Sequence, residues 1–174
     1  FVGTGKDTTT ILGGFAVENV ENITFKNMTV TNSSEDGHGL QISNAKVELF
    51  DAAFKGCEFA ALYLIESTYA TFVVATRCEF ANSNYGAAVE GGLSSATFKN
   101  CVFHDNSNNG LYGCFSTTHL HGEGTQIHSN GRHGIWAQGS KVLIHLPSHH
   151  NTSYNNRGGD RRTDRGGTIT NVED

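Results

Sequence analysis

The feature that most restricts what this chain can fold into is an internal repeat. Phe98-Lys-Asn-Cys-Val-Phe103 reads like Phe54-Lys-Gly-Cys-Glu-Phe59, and more loosely like Ala75-Thr-Arg-Cys-Glu-Phe80 and Phe25-Lys-Asn-Met-Thr-Val30. Gly122-Glu-Gly-Thr-Gln-Ile127 and Leu146-Pro-Ser-His-His-Asn151 fall in the same phase. A second block follows each first one: Gly39-Leu-Gln-Ile42, Ala61-Leu-Tyr-Leu64, Gly86-Ala-Ala-Val89, Gly110-Leu-Tyr-Gly113 and Gly134-Ile-Trp-Ala137. A third, short block at Ala96-Thr-Phe98, Leu120-His-Gly122 and Ile144-His-Leu146 closes the cycle. From Gly86 through Gly110 and Gly134 to Gly158 the step is 24 residues each time. Independent blocks sharing one period mark a repeat architecture in which each unit buries its apolar face against the next.

Each block alternates apolar and polar positions over a few residues, the pattern of a short strand with one buried face. Between blocks stand Asn, Ser, Asp and Gly, as in Asn106-Ser-Asn-Asn-Gly110, residues that tolerate left-handed turns. Short strands at this spacing, with no segment long enough for a crossover helix, predict an all-β right-handed parallel β-helix. It should have about six coils and three short parallel sheets, with coils ~4.8 Å apart. An antiparallel sandwich also uses many short strands, but it does not require a sequence period. The expected organisation is a first coil or cap over residues 1–20, the coils over 21–160, and a C-terminal tail or cap over 161–174. The 21 glycines beside a single proline then belong to coil corners rather than to a flexible linker.

On these repeats, exemplified by Asn109-Gly-Leu-Tyr-Gly113 and His133-Gly-Ile-Trp-Ala137, the chain resembles the pectin-lyase-like superfamily of right-handed β-helices over roughly residues 20–160. The resemblance implies the fold. It constrains function loosely, because that superfamily includes lyases, hydrolases, epimerases, adhesins and plain scaffolds. Asp36-Gly-His-Gly-Leu-Gln-Ile-Ser43 looks like the Gly-His-Gly element of polygalacturonases, with Gly37, His38 and Gly39 carrying over. The carboxylate-bearing Asn-x-Asp and paired-Asp elements of that family have no counterpart, and neither does its Arg-x-Lys element. Gly39-Leu40 shares the phase of Gly110-Leu111, so the motif reads as a turn of the repeat. The Asp cluster that would hold calcium in pectate lyases is likewise not visible.

Stacked coils turn equivalent positions into lateral neighbours, so columns can be read from the sequence. One inward column is expected to be Met28, Cys57, Cys78, Cys101, Thr125 and His149, a ladder of mostly small buried side chains. The chain has no Cys-x-x-Cys spacing, so no metal and no cofactor are expected. The outward column of the second block reads Gln41, Tyr63, Ala88, Tyr112, Trp136, Asp160. Its aromatic members form a flat strip on which sugar rings or a partner's side chains can stack. In the third block His121 is placed beside His145 with Thr97 next, and His104 pairs with His128. Such pairs suit a transition metal or proton transfer, but without an adjacent carboxylate they read as surface pairs. Glu58 and Glu79 are expected to share another outward column.

Bulk properties exclude several classes. A net charge of -5 and a pI near 6.0 disfavour nucleic-acid binding. No run of about 18 apolar residues exists to span a membrane. The chain begins at Phe1, and the reading expects a segment of a longer protein or an end-to-end assembling module. The leading functional expectation is a non-catalytic solenoid that binds a polysaccharide or protein partner. The binding face would comprise Tyr63, Tyr112, Trp136, His121, His145, Asp160 and Arg161. The competing expectations are a polysaccharide-active enzyme using the histidines and the Asp160/Arg161/Arg162 cluster, and a purely structural spacer.

Overall fold

A computed structural model describes residues 1–147 and 152–173, and among them every paired strand runs parallel to its neighbours. One column, a seven-stranded sheet, stacks β1 (Thr10–Leu12), β3 (Thr29–Thr31), β5 (Ala53–Lys55), β8 (Glu79–Ala81), β11 (Val102–His104), β14 (Gln126–His128) and β17 (Ser153–Tyr154). The second column holds β6 (Ala60–Leu64), β9 (Tyr85–Glu90), β12 (Leu111–Cys114), β15 (His133–Gln138) and β18 (Gly159–Asp164). The third holds β7 (Thr71–Thr76), β10 (Ser94–Lys99), β13 (Thr117–His121), β16 (Lys141–His145) and β19 (Thr168–Val172). In the first two coils β2 (Phe15–Lys26) and β4 (Leu40–Phe50) run continuously through the corner. They thereby join the second and third columns into one twelve-stranded sheet. The molecule is a parallel β-solenoid of about six coils.

Single left-handed residues make the corners. Asn27, Asp51, Arg77, Asn100 and Gly122, each with φ between 49° and 89°, turn the chain from the third column into the first. Asn, Asp and Gly reach this region at low cost. Arg77 is the exception, and its guanidinium is clamped by Asp51 from the preceding coil through two bonds of 2.7 Å. The next corner repeats the device with Gly56, Asn82, Asp105, Ser129 and Asn155.

The residue after this second corner carries a buried ladder. Asn106 and Asn130 donate through Nδ2 to the Oδ1 of the next asparagine along, Asn130 and Asn156, at 2.9 and 2.8 Å. The backbone N–H of each donates to the same Oδ1 atoms. Ser83 and Cys57 occupy this position in the earlier coils, with the Cys57 N–H donating to Ser83 Oγ and the Ser83 N–H to Asn106 Oδ1. Backbone groups that a tight turn would strand are thus satisfied coil after coil.

The interior is apolar and close-packed around Phe25, Phe54, Phe80, Phe98 and Phe103, all fully buried. Phe54, Phe80 and Phe103 stack face to face at 5.8 and 5.0 Å. This register corrects the column expected from the sequence. Phe54 aligns with Phe80 and Phe103, whereas Phe98 lies in the third column between Ala75 and Leu120. Consequently Ala52, not Cys57, stands between Met28 and Cys78, directly before the paired residues Thr29, Ala53 and Glu79. The four cysteines are free, and His149 lies outside the described residues. Coil lengths explain the slip: along Leu40, Leu62, Ala87, Leu111, Ile135 and Arg161 the steps are 22, 25, 24, 24 and 26 residues.

Glycine at the start of the second column answers to crowding. A Cβ on Gly86 would come within 2.5 Å of the Gly110 carbonyl oxygen, and one on Gly110 within 2.9 Å of that of Gly134. Real side chains do not tolerate such approaches, so the strand backbones at Gly86 and Gly110 pack too tightly for alanine, whereas one coil earlier Ala61 fits at the same position.

Candidate functional site: an aromatic strip and a histidine cluster

On the second column, alternation turns Tyr63, Tyr112 and Trp136 outward while Leu62, Leu111 and Ile135 point into the core. The true outward register is Gln41, Tyr63, Ala88, Tyr112, Trp136 and Arg162. Asp160, expected beside Trp136, instead aligns with Gly134, because the last coil carries two additional residues. Its Oδ1 accepts from the N–H and Nδ2 of Asn156 at 3.2 and 2.9 Å, so it closes the asparagine ladder. Arg161 is exposed and pairs in register with Ile135.

The gap that Ala88 leaves in the strip is filled from the same coil by Tyr85. Its ring lies 5.8 Å from Tyr112, which in turn lies 5.1 Å from Trp136. Phe59 links Tyr85 to Tyr63 at 5.4 and 6.0 Å, and His38 stacks on Tyr63 at 4.7 Å. Tyr85 and Phe59 were missed in the sequence, and His38 was read only as part of a turn, because none falls in the Tyr63 column; the alanine at position 88 was the only hint that another ring was needed.

Polar edges hold these rings in place. Tyr63 Oη donates to Glu90 Oε2 at 3.0 Å, Tyr112 Oη to Gln138 Oε1 at 3.2 Å, and Trp136 Nε1 to Asp164 Oδ2 at 2.9 Å. Burial first, then Glu90, pushes the Tyr63 phenol up to about 12, and burial also raises Tyr85 and Tyr112. All three stay protonated donors at any physiological pH. At the far end the guanidinium carbons of Arg162 and Arg132 lie 5.2 and 5.7 Å from the Trp136 ring centroid, within cation–π range. Arg162 is also paired to Asp164 at 2.9 Å.

The Gly-His-Gly element sits at the opposite end of the strip. Gly39-Leu40 is in phase with Gly110-Leu111 and Gly134-Ile135, as the repeat predicts. His38 lines a depression of about 260 Å³ with Glu35, Asp36 and Gln41. Burial lowers the His38 pKa against the opposing charge of Asp36.

The histidines expected to pair fall in two other places, while His133 lies edge-on to Trp136 at 6.2 Å. On the first column His104 and His128 stack at 5.4 Å as expected, and Tyr154 continues the stack at 5.1 Å. His104 is not without a carboxylate: its Nε2 lies 3.2 Å from Glu79 and its Nδ1 2.7 Å from Asp105. Glu79 is flanked in register by Ala53 and Val102, so it does not share a column with Glu58. On the third column His121 and His145 stack at 3.9 Å. The neighbour of Thr97 is His119, while Lys99 lies beside His121. His119 joins the pair, with its Nδ1 2.9 Å from His145 Nε2. The first and third columns lie on sides of the coil different from the aromatic strip.

Among the described residues no helix is long and apolar enough to cross a membrane. No match to this chain was found among curated proteins or among solved structures. The family model described as a right-handed β-helix region matches residues 13–173, nearly the entire chain. Together with the parallel coils, which are consistent with the pectin-lyase-like superfamily, this places the protein in the right-handed β-helix family.

Proposed function

We propose that this β-helix is a binding module whose ligand is an extended polysaccharide lying along Tyr63, Tyr85, Tyr112 and Trp136. The observation that carries this reading is the unbroken run of half-buried rings from Tyr63 to Trp136. Three coil steps separate those two residues, a span of about 14 Å. Flat, rigid rings with fixed polar edges stack on sugar faces at little entropic cost. Arg132 and Arg162 beside Trp136 favour a glycan bearing carboxylates at that end.

The test is binding of a panel of uronate-containing and neutral polysaccharides, measured calorimetrically while new reducing or unsaturated ends are followed. Saturable binding of an acidic polysaccharide without new ends is expected. Trp136→Ala should weaken it roughly tenfold, the equivalent of about 1.4 kcal/mol of lost stacking. Appearance of new chain ends would replace the binding reading with a polysaccharide-active enzyme. Absence of binding to every polysaccharide would shift the strip to a protein partner.

A further inference from the structure

We propose that His119, His121 and His145 form a binding site for a first-row divalent transition ion of the imidazole-preferring kind, such as Zn²⁺. The strand pattern creates the arrangement. On β13 the burial alternates so that Thr118 and Leu120 point inward, and His119 and His121, two residues apart, both emerge on the outer face. On the adjacent β16 Val142 and Ile144 are buried, and His145 emerges at the same level as His121. Side chains at i and i+2 on one strand plus one from the next strand converge without any distortion of the sheet. One ring nitrogen from each histidine lies within 4.8 Å of the other two.

The ligand chemistry fits. Zinc takes imidazole nitrogens at about 2.0–2.1 Å, and a tetrahedral set at that radius has nitrogens roughly 3.4 Å apart. The 2.9 Å contact between His119 Nδ1 and His145 Nε2 is within a few tenths of that value. The longest separation, within 4.8 Å, has to shorten by up to about 1.4 Å on binding, through reorientation of the half-buried rings. The cluster differs from a simple surface pair in one respect: a third imidazole, His119, converges on the same point as the other two. Three histidines also leave a further coordination position for water or a ligand atom. The site shares no residue with the aromatic strip and does not depend on the glycan proposal.

The test titrates the whole chain with Co²⁺, then displaces it with Zn²⁺, following the visible bands of a tetrahedral cobalt centre. One equivalent with such bands is expected, and His119→Gln, His121→Gln and His145→Gln should each weaken it at least about tenfold. All three positions face outward, so melting curves should show the variants folded. Independently of any variant, carbethoxylation of the parent protein followed by peptide mapping should show Zn²⁺ protecting His119, His121 and His145 together. Binding without tetrahedral bands, binding that survives His119→Gln, or protection confined to other histidines would each overturn the assignment.

Discussion

Replacing Asn130 by alanine should test whether the buried amide ladder holds the coils together. Asn130 is 1% exposed. Its Nδ2 donates to the Phe103 carbonyl at 3.3 Å and to Asn156 Oδ1 at 2.8 Å; its Oδ1 accepts from the Asn106 N–H at 3.2 Å and from Asn106 Nδ2 at 2.9 Å. After truncation Asn106 Nδ2 keeps the Phe80 carbonyl, and Asn156 Oδ1 keeps the Asn130 N–H. The Asn106 N–H loses its acceptor inside the protein. One stranded backbone donor costs ~1–3 kcal/mol and each of three other lost bonds ~0.5–1.5 kcal/mol, giving about 5 kcal/mol in all. In a chain of this size that lowers the melting temperature by about 15 °C. Urea unfolding followed by circular dichroism measures it, with the exposed Ser107→Ala as a control expected within about 0.5 kcal/mol of the parent. An Asn130→Ala protein within about 1 kcal/mol of the parent would show that the ladder records the stacking of coils without stabilising it.

Two further outcomes follow from charge and packing. The His104 pKa is raised above 6.5, chiefly by Glu79 and then by Asp105, against burial, and His128 stacks on the same ring. A raised histidine contributes stability that is complete below about pH 6.5 and is lost as pH rises through its folded value, so the stability gap between the parent and His104→Gln should widen from about pH 8 to pH 5. Melting curves across that range check this, and a gap independent of pH refutes it. Gly134→Ala would drive its Cβ onto Ser153 Oγ and within 2.7 Å of the Asp160 carbonyl. A loss of about 2–3 kcal/mol is expected in urea unfolding, against no more than about 0.5 kcal/mol for Gly92→Ala, whose Cβ meets nothing closer than 3.8 Å.

The solenoid was legible because the evidence for it is redundant. Alternation at Leu111-Tyr-Gly113 or Ile135-Trp-Ala137 states which side chains face inward, and the recurrence of these blocks states that the coils stack. Corner chemistry was legible as a class: Asn106 was read as a turn former. That it also points inward and bonds to Asn130 was not, because a turn asparagine and a ladder asparagine look the same in a sequence. Letter matching misled where it conflicted with phase. Phe54-Lys-Gly-Cys resembles Phe98-Lys-Asn-Cys, yet the first phenylalanine lies in the first column and the second in the third.

The errors at the candidate sites have a common physical form. Side chains on a strand repeat with period two, so a register slip of two residues leaves every inward residue inward and every outward residue outward. The core, and with it the fold, survives such a slip. Lateral neighbours do not: Arg162 replaces Asp160 beside Trp136, and His119 replaces His121 beside Thr97. A site on a β-helix is a set of lateral neighbours drawn from different coils, so it depends on the one quantity that alternation leaves undetermined, the length of each corner. The cationic end of the aromatic strip and the third histidine of the cluster both emerged only once those lengths, 22 to 26 residues per coil, were fixed by the structure. The same dependence predicts where the fold can vary: a shift of two residues in the register of β15 or β18, set by the length of the preceding corner, would leave the core intact while exchanging the partners of Trp136.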